Sequence, residues 1–284
     1  MRVAKWQALG NDYLIAERDG LPWPLTAARV RLLCDRHLGL GADGLLELSV
    51  TEEPGVVAAL RIFNPDGSEA ELSGNGARQA VMYLARSGWT GSREFSIATR
   101  AGEVRAQIAG DRTCTLAMGR ARLRSIDYPG GPDHGRSTLE IDGNVLEFQH
   151  IQVGNPQAAF LLADEAALSA TDLQHLGPLI ENHAAFPNRT NVSFYTVLAP
   201  DRIRARIFER GVGETSASGT GASGAAIAHV LRGGDSPVTV ELDGGELVVD
   251  VDESLLFTLT GWAEPVYSAE LSAELSARLA EAGD

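Results

Sequence analysis

The chain has 284 residues, of which 44% are hydrophobic and 22% are charged, a composition typical of a globular protein and not of a disordered one. Its 24 basic and 38 acidic residues give a formal charge of −14, which argues against binding nucleic acid or docking on an anionic membrane. Two cysteines are too few for a disulfide framework, so a reducing cytoplasm is the expected location. No signal-peptide segment and no apolar run long enough to span a membrane is apparent.

An internal repeat, offset by 144 or 145 residues, organises the chain. The matching segments are Gly10-Asn11 with Gly154-Asn155, Arg61-Ile62-Phe63 with Arg206-Ile207-Phe208, Glu69 with Glu214, and Ser73-Gly74-Asn75-Gly76-Ala77 with Ser218-Gly219-Thr220-Gly221-Ala222. Only two copies are present, which excludes a solenoid. We therefore expect two structurally similar halves related by a pseudo-twofold axis.

The hydrophobic pattern predicts the same kind of element in each half. In chain order, the predicted elements are a strand over 56–63, a buried helix over 77–86, a hairpin turn at Asp142-Gly143, a strand through Ile203, Ala205 and Ile207, a buried helix over 222–232, a hairpin turn at Asp243-Gly244, and a C-terminal amphipathic helix through Leu271, Leu275 and Leu279. This pattern predicts an α/β (α+β) fold in which each half is a mostly antiparallel sheet wrapped around one central helix. The expected domains are residues 1–120 with 265–284, and residues 121–264, with an active-site cleft between them.

Each predicted central helix is preceded by a Ser-Gly-x-Gly turn. Backbone N–H groups at a helix start lack partners within the helix and favour an anion, so two such turns could hold one small anionic ligand. Asn75 and Thr220 would add side-chain donors. The simpler alternative is that Ser73 and Ser218 are only N-caps of two tight helix entries. The spacing does not match a nucleotide-binding glycine motif.

The equivalent positions of Ser73 and Ser218 suggest a pair of acid/base groups on opposite faces of a substrate. Inversion of a stereocentre needs such a pair, because one group removes a proton and the other returns it from the far side. A serine hydroxyl is a much weaker acid than a thiol, and a thiol at a helix N-terminus would suit this task better.

A series of short motifs runs from residue 9 to residue 222. They are Leu9-Gly10-Asn11-Asp12, the segment from Asp35 to Gly44, the segment from Asn64 to Glu71, Ser73-Gly74-Asn75-Gly76, Gly154-Asn155-Pro156, Asn191-Val192, the segment from Glu209 to Thr215, and Ser218-Gly219-Thr220-Gly221-Ala222. Together they resemble the diaminopimelate epimerase family. The resemblance implies two pseudo-symmetric halves and inversion of an amino-acid α-carbon without pyridoxal phosphate, in lysine and peptidoglycan biosynthesis. It implies no cofactor and no metal, a small amino-acid substrate as the partner, and leaves a homodimer open.

The resemblance also implies a set of site residues. Ser73 and Ser218 stand where the family has its two catalytic cysteines, Gln157 stands where it has histidine, and Glu209 completes the catalytic set. The implied substrate-binding residues are Asn11, Gly44, Asn64, Gly74, Asn75, Asn155, Asn191, Glu209, Arg210, Gly219 and Thr220. Some members carry Gln where this chain has Gly44.

The serines leave several interpretations open. They could be natural divergence, which the change at Gln157 favours, or replacements made to trap a complex. The function could be epimerisation of an amino acid, isomerisation or dehydration of another small carboxylate by altered bases, or amino-acid binding without catalysis. Cys34 in a predicted helix, Cys114 in a predicted strand and His229 in the second central helix are interpreted as buried structural residues. The six histidines show no metal-ligand spacing.

Overall fold

The computed structural model describes residues 1–283. The chain forms two compact units, one comprising Met1–Leu116 with the chain from Gly261 onward, and the other comprising Ala117–Thr260. The boundaries expected from the sequence lie four residues further along the chain at both crossings. No helix among the described residues is both long and apolar enough to cross a membrane.

The first unit contains a sheet and three α-helices. Its elements are β1 (Arg2–Ala8), β2 (Asn11–Glu17), α1 (Ala27–Cys34), β3 (Leu45–Ser49), β4 (Val56–Phe63), β5 (Glu69–Ala70), α2 (Gly74–Arg86), β6 (Glu94–Thr99), β7 (Gly102–Ile108) and the first half of β8 (Thr113–Arg120). After the chain returns from the second unit, β18 (Glu264–Glu270) and α6 (Ala273–Glu281) complete it.

The second unit repeats this order, with two short helices where the first unit has α1. Its elements are β9 (Arg136–Ile141), β10 (Asn144–Gln152), β11 (Pro156–Leu161), α3 (Glu165–Ala170), α4 (Leu173–Glu181), β12 (Asn191–Ala199), β13 (Arg202–Glu209), β14 (Gly213–Thr215), α5 (Gly219–Val230), β15 (Val238–Leu242), β16 (Gly245–Val251) and most of β17 (Leu256–Trp262).

Strand pairing reproduces the repeat seen in the sequence. In the first unit β2 pairs with β3 and β4 with β6 in parallel, and in the second β11 pairs with β12 and β13 with β15 in parallel. The other strand pairs within each unit are antiparallel. Phe63 faces Glu69 in β4–β5, and Phe208 faces Glu214 in β13–β14, so the offset of 145 residues holds on both strands. The predicted α+β fold of two similar, mostly antiparallel halves is confirmed.

The two central helices, α2 and α5, are buried along most of their length. Each begins directly after the serine that was expected to open it, three residues before the apolar segment that the hydrophobic pattern marks. The Ser73 hydroxyl accepts the Gly76 N–H at 3.1 Å, and the Ser218 hydroxyl accepts the Gly221 N–H at 3.2 Å. The caps share one conformation, with φ and ψ of −134° and 121° at Ser73 and −136° and 121° at Ser218. The second helix ends at Val230, two residues early.

The structure confirms the predicted hairpin turns and buried structural residues, and it shows a C-terminal helix that begins later than predicted. Asp142-Gly143 joins β9 to β10 and Asp243-Gly244 joins β15 to β16, as expected of hairpin turns. The C-terminal helix contains Leu275 and buries Leu279, whereas Leu271 precedes its N-cap, Ser272, and lies outside the helix. Cys34, Cys114 and His229 are buried, and the His229 Nε2 atom lies 2.7 Å from the Pro200 carbonyl oxygen.

Candidate active site

Two clusters surround the starts of the central helices. Half-site 1 denotes Tyr13, Gly44, Ser73, Gly74, Asn75 and Arg78. Half-site 2 denotes Asn155, Gln157, Asn191, Glu209, Arg210, Ser218, Gly219 and Thr220. Each half-site lies within one of the two compact units.

In half-site 1 the Ser73 oxygen accepts two hydrogen bonds. One comes from the Gly76 N–H and the other from the Tyr13 phenol, whose oxygen lies 3.3 Å from Ser73 Oγ. Tyr13 is only 6% exposed and projects from β2. A hydroxyl oxygen that accepts from two donors is stabilised in its anionic form.

In half-site 2 the Ser218 hydroxyl makes the opposite kind of contact. It donates to Glu209 Oε2 at 2.9 Å, while Thr215 donates to Glu209 Oε1 at 3.0 Å. Glu209 is the last residue of β13, so the strand fixes where the carboxylate lies. Burial raises the pKa of the Glu209 carboxyl group above its usual range, and the hydrogen bonds from Ser218 and Thr215 oppose this change.

A chain of amides reaches the start of α5 from β11. Gln157 Nε2 donates to Asn155 Oδ1 at 2.7 Å, and Asn155 Nδ2 donates to Thr220 Oγ1 at 3.3 Å. Gln157 is fully buried, and its Oε1 atom has no hydrogen-bond partner among the described residues. It packs against Gly224 so closely that a Cβ atom there would lie 2.9 Å from Gln157 Cβ.

Asn191 holds the loop that carries Arg210. Asn191 Oδ1 accepts the Arg210 backbone N–H at 2.9 Å, and its Nδ2 donates to the Pro156 carbonyl at 2.9 Å. The Arg210 guanidinium donates to the Asn188 carbonyl at 2.8 Å and is partly exposed. The structure therefore brings Asn191 and Arg210 together, with the Asn191 amide bound to backbone.

The other candidates of the first unit are not gathered on Ser73. Asn64 donates to Ser68 Oγ at 2.9 Å, and Asn11 donates to Asp43 Oδ2 at 3.0 Å. Gly44 is buried where a Cβ atom would lie 2.5 Å from both the Phe63 carbonyl oxygen and Tyr13 Cε1. A side chain at position 44 is thus incompatible with the observed place of the Tyr13 ring.

Arg78 is a functional candidate that the sequence interpretation missed. It is 0% exposed, and it donates to Asn75 Oδ1 at 2.6 Å and to the Gly74 carbonyl at 3.2 Å. No acidic side chain among the described residues forms an ion pair with it, and burial lowers its pKa to about 10. The signal was an arginine within a helix predicted to be buried, whereas nothing local marked Tyr13.

The model of the family described as diaminopimelate epimerase matches residues 3–124 and 150–261. The chain is 37% identical over 282 residues to a protein of Nostoc sp. named diaminopimelate epimerase 2, with 98% of each chain covered. It is 39% identical over 273 residues to a diaminopimelate epimerase of Synechococcus sp., with 93% of this chain and 95% of that protein covered.

Solved structures share the fold at low identity. A probable proline racemase from Agrobacterium radiobacter matches with a TM-score of 0.70 and 18% identity, covering 96% of this chain and 93% of its own. A hydroxyproline epimerase from Agrobacterium vitis matches with a TM-score of 0.68 and 16% identity, covering 95% and 90%. Fold and family together define an isomerase of the epimerase and racemase class. The chain belongs to the diaminopimelate epimerase family.

Proposed function

We propose that this chain is a pyridoxal-phosphate-independent epimerase that inverts the α-carbon of diaminopimelate by two-base proton transfer. The observation that carries the proposal is the contact of Ser218 with Glu209, which gives a weak hydroxyl base a carboxylate to receive its proton. The names of the relatives support diaminopimelate as the substrate.

The backbone at each helix start, taken by itself, suits a carboxylate. Gly74 and Gly219 are the first residues of α2 and α5, where N–H groups and the helix dipole favour an anion. Asn155, Thr220 and Gln157 form a hydrogen-bonded row beside the second helix start. Arg210 adds a partly exposed cation to the same unit.

Serine in place of cysteine sets the expected rate. A free thiol titrates near pH 8.5, whereas a serine hydroxyl has no comparable anion near neutral pH. Each increase of about 1.36 kcal/mol in the barrier slows the reaction tenfold. We therefore expect slow epimerisation of diaminopimelate by this chain.

A second candidate is an isomerase that moves a proton within another small carboxylate by means of one half-site. The observation that favours it is that only one of the two serines has a carboxylate as a hydrogen-bond partner. Glu209 contacts Ser218, while the equivalent Asn64 contacts Ser68. Such a reaction needs only one acid/base group.

Exchange of the α-proton of diaminopimelate with solvent deuterium tests the proposal. The double variant Ser73→Cys with Ser218→Cys should raise exchange by several orders of magnitude, and either single variant should raise it far less. Ser223→Cys is the matched control, because Ser223 is a buried serine of α5 whose hydroxyl donates to the Gly219 carbonyl. Exchange that stays flat in the double variant would reject diaminopimelate and favour the second candidate.

A further inference from the structure

We propose that the ion pair of Glu181 and Arg189 positions Arg210 and keeps the charge of Arg210 available for an anionic group of the substrate. Glu181 and Arg189 are positioning residues, because they act through the turn that carries Arg210. The proposal rests on the proposed function for its substrate, and all three residues lie within the second unit.

The turn between β13 and β14 is held by two side chains from outside it. Asn191 Oδ1 accepts the Arg210 N–H at 2.9 Å, and Glu181 Oε1 accepts the Gly211 N–H at 3.0 Å. Two consecutive backbone N–H groups of the turn are therefore satisfied by fixed acceptors. This pairing fixes the place at which the Arg210 side chain leaves the backbone.

Glu181 is a buried carboxylate with one cationic partner. It is the last residue of α4 and is only 5% exposed. Its Oε1 atom, which binds the Gly211 N–H, also accepts from Arg189 Nη1 at 2.9 Å. Burial of a carboxylate costs free energy unless a cation and hydrogen bonds compensate for it. Glu181 therefore depends on Arg189, whose side chain is about half exposed, for its charge compensation.

The Arg210 guanidinium, in contrast, has a neutral partner. It donates to the Asn188 carbonyl at 2.8 Å, and no acidic side chain among the described residues forms an ion pair with it. The Asn188 amide donates to Asp127 Oδ1 at 2.9 Å, which holds the loop that offers this carbonyl. Because Arg189 compensates the charge of Glu181, Arg210 remains a cation that no carboxylate neutralises. Such a cation suits an anionic ligand.

The equivalent turn of the first unit lacks both the arginine and the ion pair behind it. Pro65 stands where Arg210 stands in the repeat. The exposed Asp66 carboxylate accepts from the Ser68 hydroxyl at 2.6 Å, so it is satisfied within its own turn. The outside carboxylate and its arginine therefore accompany the turn that carries a cation.

Chemical modification of Arg210 tests the proposal without substrate. Phenylglyoxal adds to guanidinium groups, and mass spectrometry of the peptide that contains Arg210 gives the rate of its modification. Arg189→Met leaves the Glu181 carboxylate without its cation, so we expect this carboxylate to attract Arg210 and to slow its modification by about threefold, as for a partly exposed ion pair. Adding Glu181→Gln removes the charge and keeps an oxygen that can accept the Gly211 N–H, so the rate should recover.

Substrate affinity gives a second measurement. In the chain that carries Ser73→Cys and Ser218→Cys, Arg189→Met should raise the KM for diaminopimelate by about tenfold and change kcat less, because the lost contact contributes to binding of substrate and transition state alike. Adding Glu181→Gln should bring KM back toward its starting value. Arg189→Gln is a second variant with the same expected direction, should the methionine variant not fold.

Arg232→Met is the matched control. Arg232 pairs with Glu147 at 2.6 Å beyond the C-terminal end of α5, whereas half-site 2 surrounds the start of that helix. The control changes the net charge by the same amount and should leave KM and the modification of Arg210 unchanged. Equal effects of Arg189→Met and Arg232→Met would overturn the proposal. A loss in Arg189→Met that Glu181→Gln does not restore would also overturn it, because that result indicates a merely structural pair.

Failure of the proposed function gives a different result. It shows as absent α-proton exchange with diaminopimelate in the chain that carries Ser73→Cys and Ser218→Cys, while the modification of Arg210 in the parent chain still responds to Arg189→Met. If the modification of Arg210 does not respond, the positioning role is rejected whatever the substrate.

Discussion

Half-site 1 and half-site 2 have the same backbone conformation at their helix starts but carry different side chains. Their capping serines have φ and ψ within a few degrees of each other, and the strands behind them pair in the same register. Yet Asn64 in one half is replaced by Glu209 in the other, and Arg78 is replaced by Ser223. The comparison teaches that the repeat supplies two equal helix starts, while a few side chains set the sign of the charge at each.

The two halves also differ in the packing under the second glycine of each turn. A Cβ atom at Gly76 would lie 3.1 Å from Leu46 Cδ2, at the end of a flexible side chain. A Cβ atom at Gly221 would lie 2.6 Å from Ile207 Cγ2 and 2.7 Å from Ile207 Cδ1. The second helix start therefore lies closer to its sheet.

The largest expected effect comes from a variant that removes the chemical difference between the two half-sites. In the chain that carries Ser73→Cys and Ser218→Cys, Glu209→Gln should slow α-proton exchange of diaminopimelate by about 100-fold or more, because it removes the proton acceptor of half-site 2. Glu214→Gln is the matched control, since Glu214 pairs with Arg206 on the same β-hairpin. Equal rates in the two variants would mean that Glu209 takes no part in proton transfer.

The next largest expected effect measures the packing difference between the two helix starts. Gly221→Ala should destabilise the fold by about 1–3 kcal/mol, because β-branched Ile207 has to move. Gly76→Ala should be near neutral or stabilising, since Leu46 can yield and alanine is the better helix former by about 1 kcal/mol. Urea unfolding of both variants measures the comparison, and equal losses of stability would contradict it.

Most of the fold could be predicted from local patterns in the sequence. Asp142-Gly143, Asp243-Gly244 and the repeat itself needed no knowledge of distant contacts. The serines predicted the helix starts, whereas the hydrophobic pattern alone begins three residues later, because Gly74 and Gly219 have low helix propensity and the serine caps override it.

The site was less accessible to sequence reasoning for a physical reason. The contact of Tyr13 with Ser73 joins residues 60 apart in the chain and depends on the space left at Gly44. The chain of Gln157, Asn155 and Thr220 likewise depends on the clearance at Gly224. The sequence motifs identified most of the candidate side chains, but they did not predict which of these side chains are in contact.

The smallest expected effect concerns stability and pH. Burial raises the pKa of Glu209, so the folded state holds this proton more tightly than the unfolded chain does. At pH 7 the ionised carboxylate therefore lowers stability, and the penalty disappears as the pH falls through the raised pKa toward about 4. Glu209→Gln should raise the melting temperature at pH 7 and change it little near pH 4. The same gain at both pH values would contradict a raised pKa, and Asn64→Ala should show no such pH dependence.

The close packing at Gly44 affects the order in which substitutions at positions 13 and 44 can be made. Any side chain added at position 44 meets the Tyr13 ring and the Phe63 carbonyl, so it is damaging while the ring stays where it is. A smaller residue at position 13 removes the contact with the ring, but the Phe63 backbone carbonyl oxygen still lies 2.5 Å from the Cβ position, so the same addition costs less and remains damaging. Substitutions at the two positions are therefore not independent, and the order that alters position 13 first costs less than the reverse order.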